Sequence, residues 1–126
     1  MGSTKDKVDA IDQKGVYKIN CTDCDACYVG QTRRSIKKRV QEHFQEFQQK
    51  HHRNYTYKSA VAEHMALRKH NFDTETNVEI MYTTSNERIL DAVETLHINK
   101  FLSHELLNRD KGPIVSTLYD LVELKL

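Results

Sequence analysis

Three cysteines lie close together near the start of the chain and have the spacing of metal ligands. Cys21, Cys24 and Cys27 form two overlapping Cys-x-x-Cys pairs, and this spacing is typical of zinc knuckles. An odd number of cysteines also argues against a framework of disulfides. The pattern predicts a zinc site that uses one of the two pairs, and the competing interpretation is three free thiols.

A zinc site of this kind needs two further ligands, and two histidines later in the chain are candidates. On one continuous helix, His64 and His70 would point about 240° apart and could not face one metal ion. They converge only if the helix ends between them, and the sequence Arg68-Lys69-His70-Asn71 is a plausible helix end. The competing interpretation is that they are surface histidines.

A dense basic run follows the cysteines and has the chemistry to bind phosphate. Its members are Arg33, Arg34, Lys37, Lys38 and Arg39. Arg39 and His43 are at positions i and i+4, so they share one face of a helix. A guanidinium binds phosphate oxygens through two parallel hydrogen bonds, and an imidazole titrates near neutral pH. A solvated helix face or nonspecific contacts to a nucleic-acid backbone would explain the run equally well.

Acidic residues are concentrated in a later part of the chain, apart from the basic run. They are Asp73, Glu75, Glu79, Glu87, Asp91 and Glu94. A basic face with a separate acidic group fits a phosphate-binding surface beside a carboxylate that holds a metal. The net charge of +1 does not by itself favour nucleic acid, so the distribution of charge carries this inference.

The composition indicates one domain with a modest core, because the 126 residues are 38% hydrophobic and 29% charged. Residues 1–13 are interpreted as an added start and a loose lead-in, and residues 14–126 as the domain. No apolar run approaches membrane-spanning length and no signal peptide is visible, so we expect an intracellular protein.

Alternation of apolar and polar residues predicts the strands. Residues 15–21 and 26–31 form two strands of an antiparallel hairpin over 16–31, and its long turn carries the cysteines. A third strand is predicted over 78–82, with an apolar face that includes Tyr82.

Serine and asparagine caps predict three helices. Ser35 begins the first, whose apolar stripe runs to about Gln49. Ser59 begins the second, over 60–69, and Ser85 or Asn86 begins the third. Residues 51–57 are predicted to be a loop, and Pro113 lies in a turn. The last stretch, residues 116–126, docks as either a helix or a strand.

The order of elements predicts an α+β fold with a small three-stranded antiparallel sheet flanked by helices. In this frame, Gly15-Val16-Tyr17 and Tyr28-Val29-Gly30 resemble the two signature triplets of the GIY-YIG nuclease family. Arg39 and His43 resemble the Arg and His on the family's first helix. Glu94 and Asn108 resemble its later metal-binding Glu and the Asn that often follows.

Within this family, the sequence resembles the endonuclease domain of Penelope-like retroelements. The strings YVGQTRRSIKKRVQEH, SAVAEHMALRKH and LNRD, with the cysteines between the triplets, are similar to that domain over roughly residues 15–126. Valine replaces isoleucine in both triplets, which is a conservative change.

The resemblance implies a role for each candidate residue. The catalytic site would consist of Tyr17, Tyr28, Arg39, His43, Glu94 and Asn108. Glu94 would bind Mg²⁺ or Mn²⁺, Arg39 would clamp the phosphate, and Asn108 would support the site by hydrogen bonds. Tyr17 would activate the water, directly or in a relay, while Tyr28 orients water or phosphate. His43 is the alternative base, since a phenol titrates near 10.

The same resemblance implies a structural zinc site between the hairpin turn and the second helix. Its ligands would be Cys21, Cys24, His64 and His70, with Cys27 left over. DNA-backbone contacts would come from Arg33, Arg34, Lys37 and Lys38. The basic, aromatic loop over 51–57 either touches DNA or faces solvent.

The predicted function is a metal-dependent DNA endonuclease that nicks one strand. The retroelement resemblance implies that the resulting 3′-hydroxyl primes reverse transcription in the nucleus, with a reverse transcriptase domain on the same polyprotein. One alternative is a zinc-stabilised DNA-binding module without catalysis. A redox or metal-storage protein is a weaker alternative, because it leaves the basic run unexplained.

Overall fold

The computed structural model describes residues 10–102 and 104–109 of the chain. Its strands are β1 (Gly15–Asn20), β2 (Ala26–Thr32), β3 (Val78–Thr83) and β4 (Glu105–Leu106), and its α-helices are α1 (Ile36–Gln48), α2 (Ala60–Leu67) and α3 (Leu90–Lys100). This arrangement confirms the predicted α+β class. The predicted turn at Pro113 and the segment 116–126 lie outside the described residues.

The described strands form one sheet in the order β3-β1-β2-β4. β1 and β2 form the predicted antiparallel hairpin, and β1 also pairs antiparallel with β3. The prediction of three antiparallel strands was wrong, because β4 adds a fourth strand that pairs parallel with β2. β4 has only two residues, too few for alternation of side chains to reveal it in the sequence.

Helices cover both faces of the sheet, which explains why consecutive residues of β1, Gly15 to Tyr17, are all buried. On one face, Tyr17 and Ile19 pack in a core cluster with Ile36 of α1 and Met65 of α2. On the other face, Val16 and Val29 pack in a cluster with residues of α3. A sheet sandwiched in this way holds both its strands and its flanking helices in fixed positions.

An irregularity in the pairing of β1 with β3 changes which β3 side chains face the core. Val16 pairs with Tyr82 but Tyr17 pairs with Ile80, so Met81 is an extra residue on β3. Met81 then packs on the α3 side of the sheet. Tyr82 is 38% exposed, contrary to the predicted apolar face.

The predicted caps begin the first two helices. Ser35 accepts a hydrogen bond from the Lys38 backbone N–H, and Ser59 accepts one from Ala62. Asn86 instead caps a 3₁₀ turn over Glu87–Ile89, so α3 starts only at Leu90. α2 stops at Leu67, two residues before the predicted end.

The segment before β1 is attached to the domain where the structure describes it. Ile11 packs against the core cluster beneath α1 and α2. The Gln13 carbonyl accepts a hydrogen bond from the Ile36 backbone N–H at 3.0 Å. Among the described helices, none combines the length and apolar character needed to cross a membrane.

Candidate active site and metal-ligand cluster

Two cysteines and two histidines meet beside the turn between β1 and β2. Cys21 and Cys24 come from the turn between β1 and β2, His64 from α2, and His70 from the segment after it. Their ligand atoms all lie within 4.8 Å of one another. Cys21 Sγ is 3.1 Å from His70 Nδ1, Cys24 Sγ is 3.3 Å from His64 Nε2, and the two imidazole nitrogens are 3.3 Å apart.

The three shorter separations lie close to those of a tetrahedral zinc site. Bonds of about 2.3 Å to sulfur and 2.0–2.1 Å to nitrogen place tetrahedral ligand atoms roughly 3.3–3.8 Å apart. Burial lowers the pKa of His64, which keeps its imidazole neutral and able to bind a metal. The donor set and the geometry therefore both suit Zn²⁺. Cys27 is buried on β2 and is not a member of this group.

A reversal of the chain after α2 lets His70 face His64. Lys69 has a positive φ of 57°, and the His70 backbone N–H donates to the Met65 carbonyl while Lys69 N–H donates to Ala66. These bonds form a Schellman motif, which ends a helix and turns the chain back. The helix thus ends between the two histidines, as their convergence requires.

The two signature tyrosines share one face of the β1–β2 hairpin. Tyr17 is fully buried and Tyr28 partly buried, with ring centroids 6.3 Å apart. Tyr17 pairs across the hairpin with Gly30. A Cβ at Gly30 would lie 2.5 Å from the Tyr17 hydroxyl and 2.8 Å from Cε1 of Tyr28. Only glycine leaves room for both rings at this position.

His43 extends from α1 into the buried space beside the tyrosines. Its Nε2 lies 2.9 Å from the Tyr17 hydroxyl, and its Nδ1 lies 2.5 Å from the Ser59 hydroxyl. Burial, together with the nearby positive charge of Arg39, lowers the pKa of His43 to about 4. The imidazole is therefore neutral at physiological pH.

Arg39 and Glu94 both act electrostatically on the tyrosines. Burial raises the pKa of Tyr17 and Tyr28, the charge of Arg39 opposes that rise, and the charge of Glu94 adds to it. A cation on α1 and an anion on α3 therefore both act on the same pair of phenols. This arrangement brings together the predicted phosphate clamp and the predicted metal ligand.

Arg39 differs from the rest of the basic run because it is the only member that is partly buried. Arg33, Arg34, Lys37 and Lys38 are exposed. Glu42 Oε1 accepts hydrogen bonds from Arg39 at 3.2 Å and from Arg34 at 2.7 Å. A guanidinium has five N–H donors, so holding Glu42 leaves Arg39 with donors for a phosphate.

Glu94 lies with Asp91 on α3, and Gln31 at the end of β2 links the two. The Gln31 amide donates to Asp91 Oδ1 at 2.5 Å and to Glu94 Oε1 at 3.2 Å. The donors available here are carboxylate oxygens, which suit a hard cation such as Mg²⁺ or Mn²⁺. The residues present therefore fit the predicted catalytic metal.

Asn108 hydrogen bonds to the backbone of the second signature triplet. Its Oδ1 accepts from Val29 N–H at 2.9 Å, and its Nδ2 donates to the Val29 carbonyl at 2.6 Å. The side chain thus satisfies both backbone groups between Tyr28 and Gly30. This contact holds the strand that carries Tyr28 rather than presenting a reactive group.

A comparison with models of known protein families found a match. The model of the GIY-YIG catalytic domain matches residues 13–108. The chain belongs to the GIY-YIG family. Searches of curated proteins and of solved structures found no match. A GIY-YIG domain indicates a nuclease, for which DNA is the expected substrate, and nucleases of this family depend on a metal ion.

In this GIY-YIG domain, two further residues contact the predicted site. Ser59 was predicted only as a helix cap, yet its hydroxyl also reaches His43. Gln31 had no predicted role, yet it contacts both carboxylates of α3. Neither contact has a signal in the sequence, because each joins residues that are distant in the chain.

Proposed function

We propose that this GIY-YIG domain is a metal-dependent DNA endonuclease that nicks one strand at a time. The observation that carries the proposal is that Arg39 and Glu94 both act on the pKa values of Tyr17 and Tyr28, in opposite directions, while Tyr17 contacts His43. Phosphodiester hydrolysis needs a cation at the phosphate, a group that takes a proton from water, and help for the leaving oxygen. Arg39, the tyrosine pair and Glu94 are the groups that we propose for these tasks.

The difference in solvent exposure between Tyr17 and Tyr28 indicates a different role in catalysis for each. Tyr17 is inaccessible to solvent, whereas Tyr28 is partly exposed. Tyr28 is therefore the phenol that contacts the attacking water or the phosphate, and Tyr17 acts behind it as the connection to His43. Arg39 binds non-bridging oxygens of the scissile phosphate and stabilises the charge that builds up there.

Glu94, with Asp91 beside it, would hold the catalytic Mg²⁺ or Mn²⁺. When bound there, the cation would supply charge neutralisation at the phosphate and at the leaving oxygen. Gln31 holds both carboxylates near one another, because its amide nitrogen donates to an oxygen of each.

We further propose that Cys21, Cys24, His64 and His70 hold one structural Zn²⁺. Such an ion would tie the hairpin turn to the end of α2 and add stability to a domain with a small core. Asp23 supports the same connection, because its carboxylate accepts a hydrogen bond from the Asn71 backbone N–H at 2.8 Å.

The biological role that we propose is target nicking for a Penelope-like retroelement in the nucleus. Its support is the similarity of the sequence between and after the triplets, including the Cys-x-x-Cys turn. The 3′-hydroxyl at the nick would prime a reverse transcriptase domain of the same polyprotein. Extension of the nicked strand by an added polymerase tests the end chemistry, because a 3′-phosphate would block it.

Nicking of supercoiled plasmid tests the proposed activity. The wild-type chain is compared in Mg²⁺, Mn²⁺ and EDTA with Glu94→Gln and with a control, Glu79→Gln, which changes an exposed acid on β3. We expect metal-dependent open circles from the wild type and the control, and a loss of at least about 100-fold in Glu94→Gln. DNA binding without cutting by any variant would instead favour the noncatalytic DNA-binding module.

A further inference from the structure

Ser59 is the last group in a buried line of polar atoms that leads to Tyr17. The Ala62 backbone N–H donates to Ser59 Oγ at 3.0 Å. Ser59 Oγ is 2.5 Å from His43 Nδ1, and His43 Nε2 is 2.9 Å from the Tyr17 hydroxyl. Ser59 is 5% exposed, His43 1% and Tyr17 0%. Protein groups must therefore satisfy the polar atoms along this line.

Counting donors and acceptors fixes the direction of these hydrogen bonds. A serine hydroxyl has one proton to donate and also accepts hydrogen bonds. Ser59 already accepts from Ala62, and His43 Nδ1 is its one side-chain neighbour within hydrogen-bond distance among the described residues. If Nδ1 carried a proton, the Ser59 oxygen would accept two hydrogen bonds. Its own buried hydroxyl proton would then have no acceptor among the described residues. The satisfied arrangement has Ser59 donating to a bare Nδ1.

We propose that Ser59 is a positioning residue of the active site, which fixes His43 in the tautomer whose Nε2–H donates to the Tyr17 oxygen. A neutral imidazole has one protonated nitrogen, so a bare Nδ1 requires a protonated Nε2. His43 then acts as a hydrogen-bond donor in the resting site and not as the base that deprotonates Tyr17.

This assignment determines how the tyrosine pair is polarised. Because the Tyr17 oxygen accepts from His43, its own proton is directed away from the imidazole and is available on the side of Tyr28. An N–H donor at the Tyr17 oxygen also favours negative charge on that oxygen, against the effect of burial. The consequence for catalysis rests on the proposed nuclease function, whereas the tautomer itself does not.

Nitrogen-15 NMR of the imidazole groups tests the tautomer directly in the wild-type chain. The chain has seven histidines, so His43 is assigned from the signals that disappear in His43→Gln. At pH 7.5 we expect a neutral ring with the proton on Nε2. A proton on Nδ1 with a bare Nε2, or a fully protonated ring, would overturn the proposal.

Two substitutions of nearly equal shape test the role of Ser59 as a donor. Asn and Asp are both good helix N-caps, but the Asn amide can donate to Nδ1 whereas the Asp carboxylate only accepts. We expect Ser59→Asn to keep the proton on Nε2 and Ser59→Asp to lose it from that nitrogen. Nicking by Ser59→Asp should be at least tenfold slower than by Ser59→Asn.

Matched melting temperatures and DNA affinities for the two variants separate this effect from a folding defect. Equal tautomers and equal rates in the two folded variants would contradict the proposal. If Ser59→Asp does not fold, the wild-type spectrum still decides. If the wild type does not nick DNA under any condition, the proposed function is wrong. The NMR spectrum still tests the tautomer of His43 independently.

Discussion

The Tyr17 hydroxyl and His43 Nε2 lie 2.9 Å apart across the interface between β1 and α1, although 26 residues separate them in the chain. The contact is buried on both sides. It therefore links the first signature triplet to the helix that also carries Arg39. Any change in the state of His43 will act on both the stability of the domain and the chemistry of Tyr17.

The low pKa of His43 predicts a loss of stability in acid. The folded imidazole titrates at about 4, whereas the ordinary value is 6.5. As the pH falls from about 6.5 to 4, the unfolded chain binds a proton that the folded chain does not, so the free energy of unfolding decreases. The full loss is about 3 kcal/mol. Denaturant unfolding at several pH values in this window measures it.

The control for this pH effect is His43→Gln, which cannot titrate. Protonation of the zinc ligands destabilises both chains in acid, so the relevant quantity is the difference between their pH slopes. We expect the wild type to lose stability more steeply than His43→Gln between pH 6.5 and pH 4. Parallel slopes would show that His43 is not the group responsible.

Gly30→Ala should damage the site more than the fold. The added methyl group would meet the rings of both Tyr17 and Tyr28, and overpacking of this kind costs about 1–3 kcal/mol. Displacement of a ring by about 1 Å should slow nicking roughly 100-fold. The measurement is nicking per folded molecule, with the folded fraction taken from circular dichroism.

Gly15→Ala is the comparison for Gly30→Ala. Its added Cβ would collide with the Tyr82 carbonyl oxygen on β3, not with a tyrosine ring. We expect this variant to lose stability but to keep its nicking rate per folded molecule. Equal losses of activity in the two variants would contradict the role assigned to Gly30.

Cys24→Ala and Cys27→Ala together test the zinc site. Cys24 belongs to the ligand group, and Cys27 is buried outside it. We expect about one zinc per chain in the wild type and in Cys27→Ala, and loss of tightly bound zinc with a lower melting temperature in Cys24→Ala. Elemental analysis after dialysis gives the answer, and full zinc in Cys24→Ala would reject this ligand set.

Lys69→Gly should stabilise the domain. Lys69 has a φ of 57° in the turn that brings His70 to His64, and glycine adopts this conformation without the steric cost of a Cβ. The expected gain is about 0.5–1 kcal/mol, the steric relief less the entropic cost of glycine, with unchanged zinc content. Lys69→Ala should show no gain and Lys69→Val a loss, as measured by denaturant unfolding of zinc-loaded protein.

Arg39 and Lys38 should affect different stages of the reaction. Arg39→Lys keeps the charge but loses the planar pair of donors, so we expect nicking to slow about 100-fold with little change in DNA affinity. Lys38→Gln should weaken DNA binding and lower its salt slope by about 1, leaving the rate at saturating enzyme unchanged. The reverse assignment would move the phosphate clamp away from Arg39.

Short-range sequence patterns predicted much of the fold. Ser35 and Ser59 began helices as predicted, because an N-cap acts within three residues of itself. The hairpin followed from alternation within each of its strands. β4 could not be predicted, because two residues are too few to show an alternation of side chains. Its pairing with β2 also depends on the position of the chain after α3.

The sequence alone determined which residue types were available for chemistry: the two glycine-and-tyrosine triplets, the arginine and histidine one helical turn apart, and the paired cysteines and histidines. Tertiary structure decided which of them meet and how. The turn at Lys69 brings His70 to His64, and the extra residue in β3 leaves Tyr82 exposed. Ser59 both caps α2 and contacts His43. Hydrogen bonds between distant segments depend on how the elements pack, and no pattern within one segment records that.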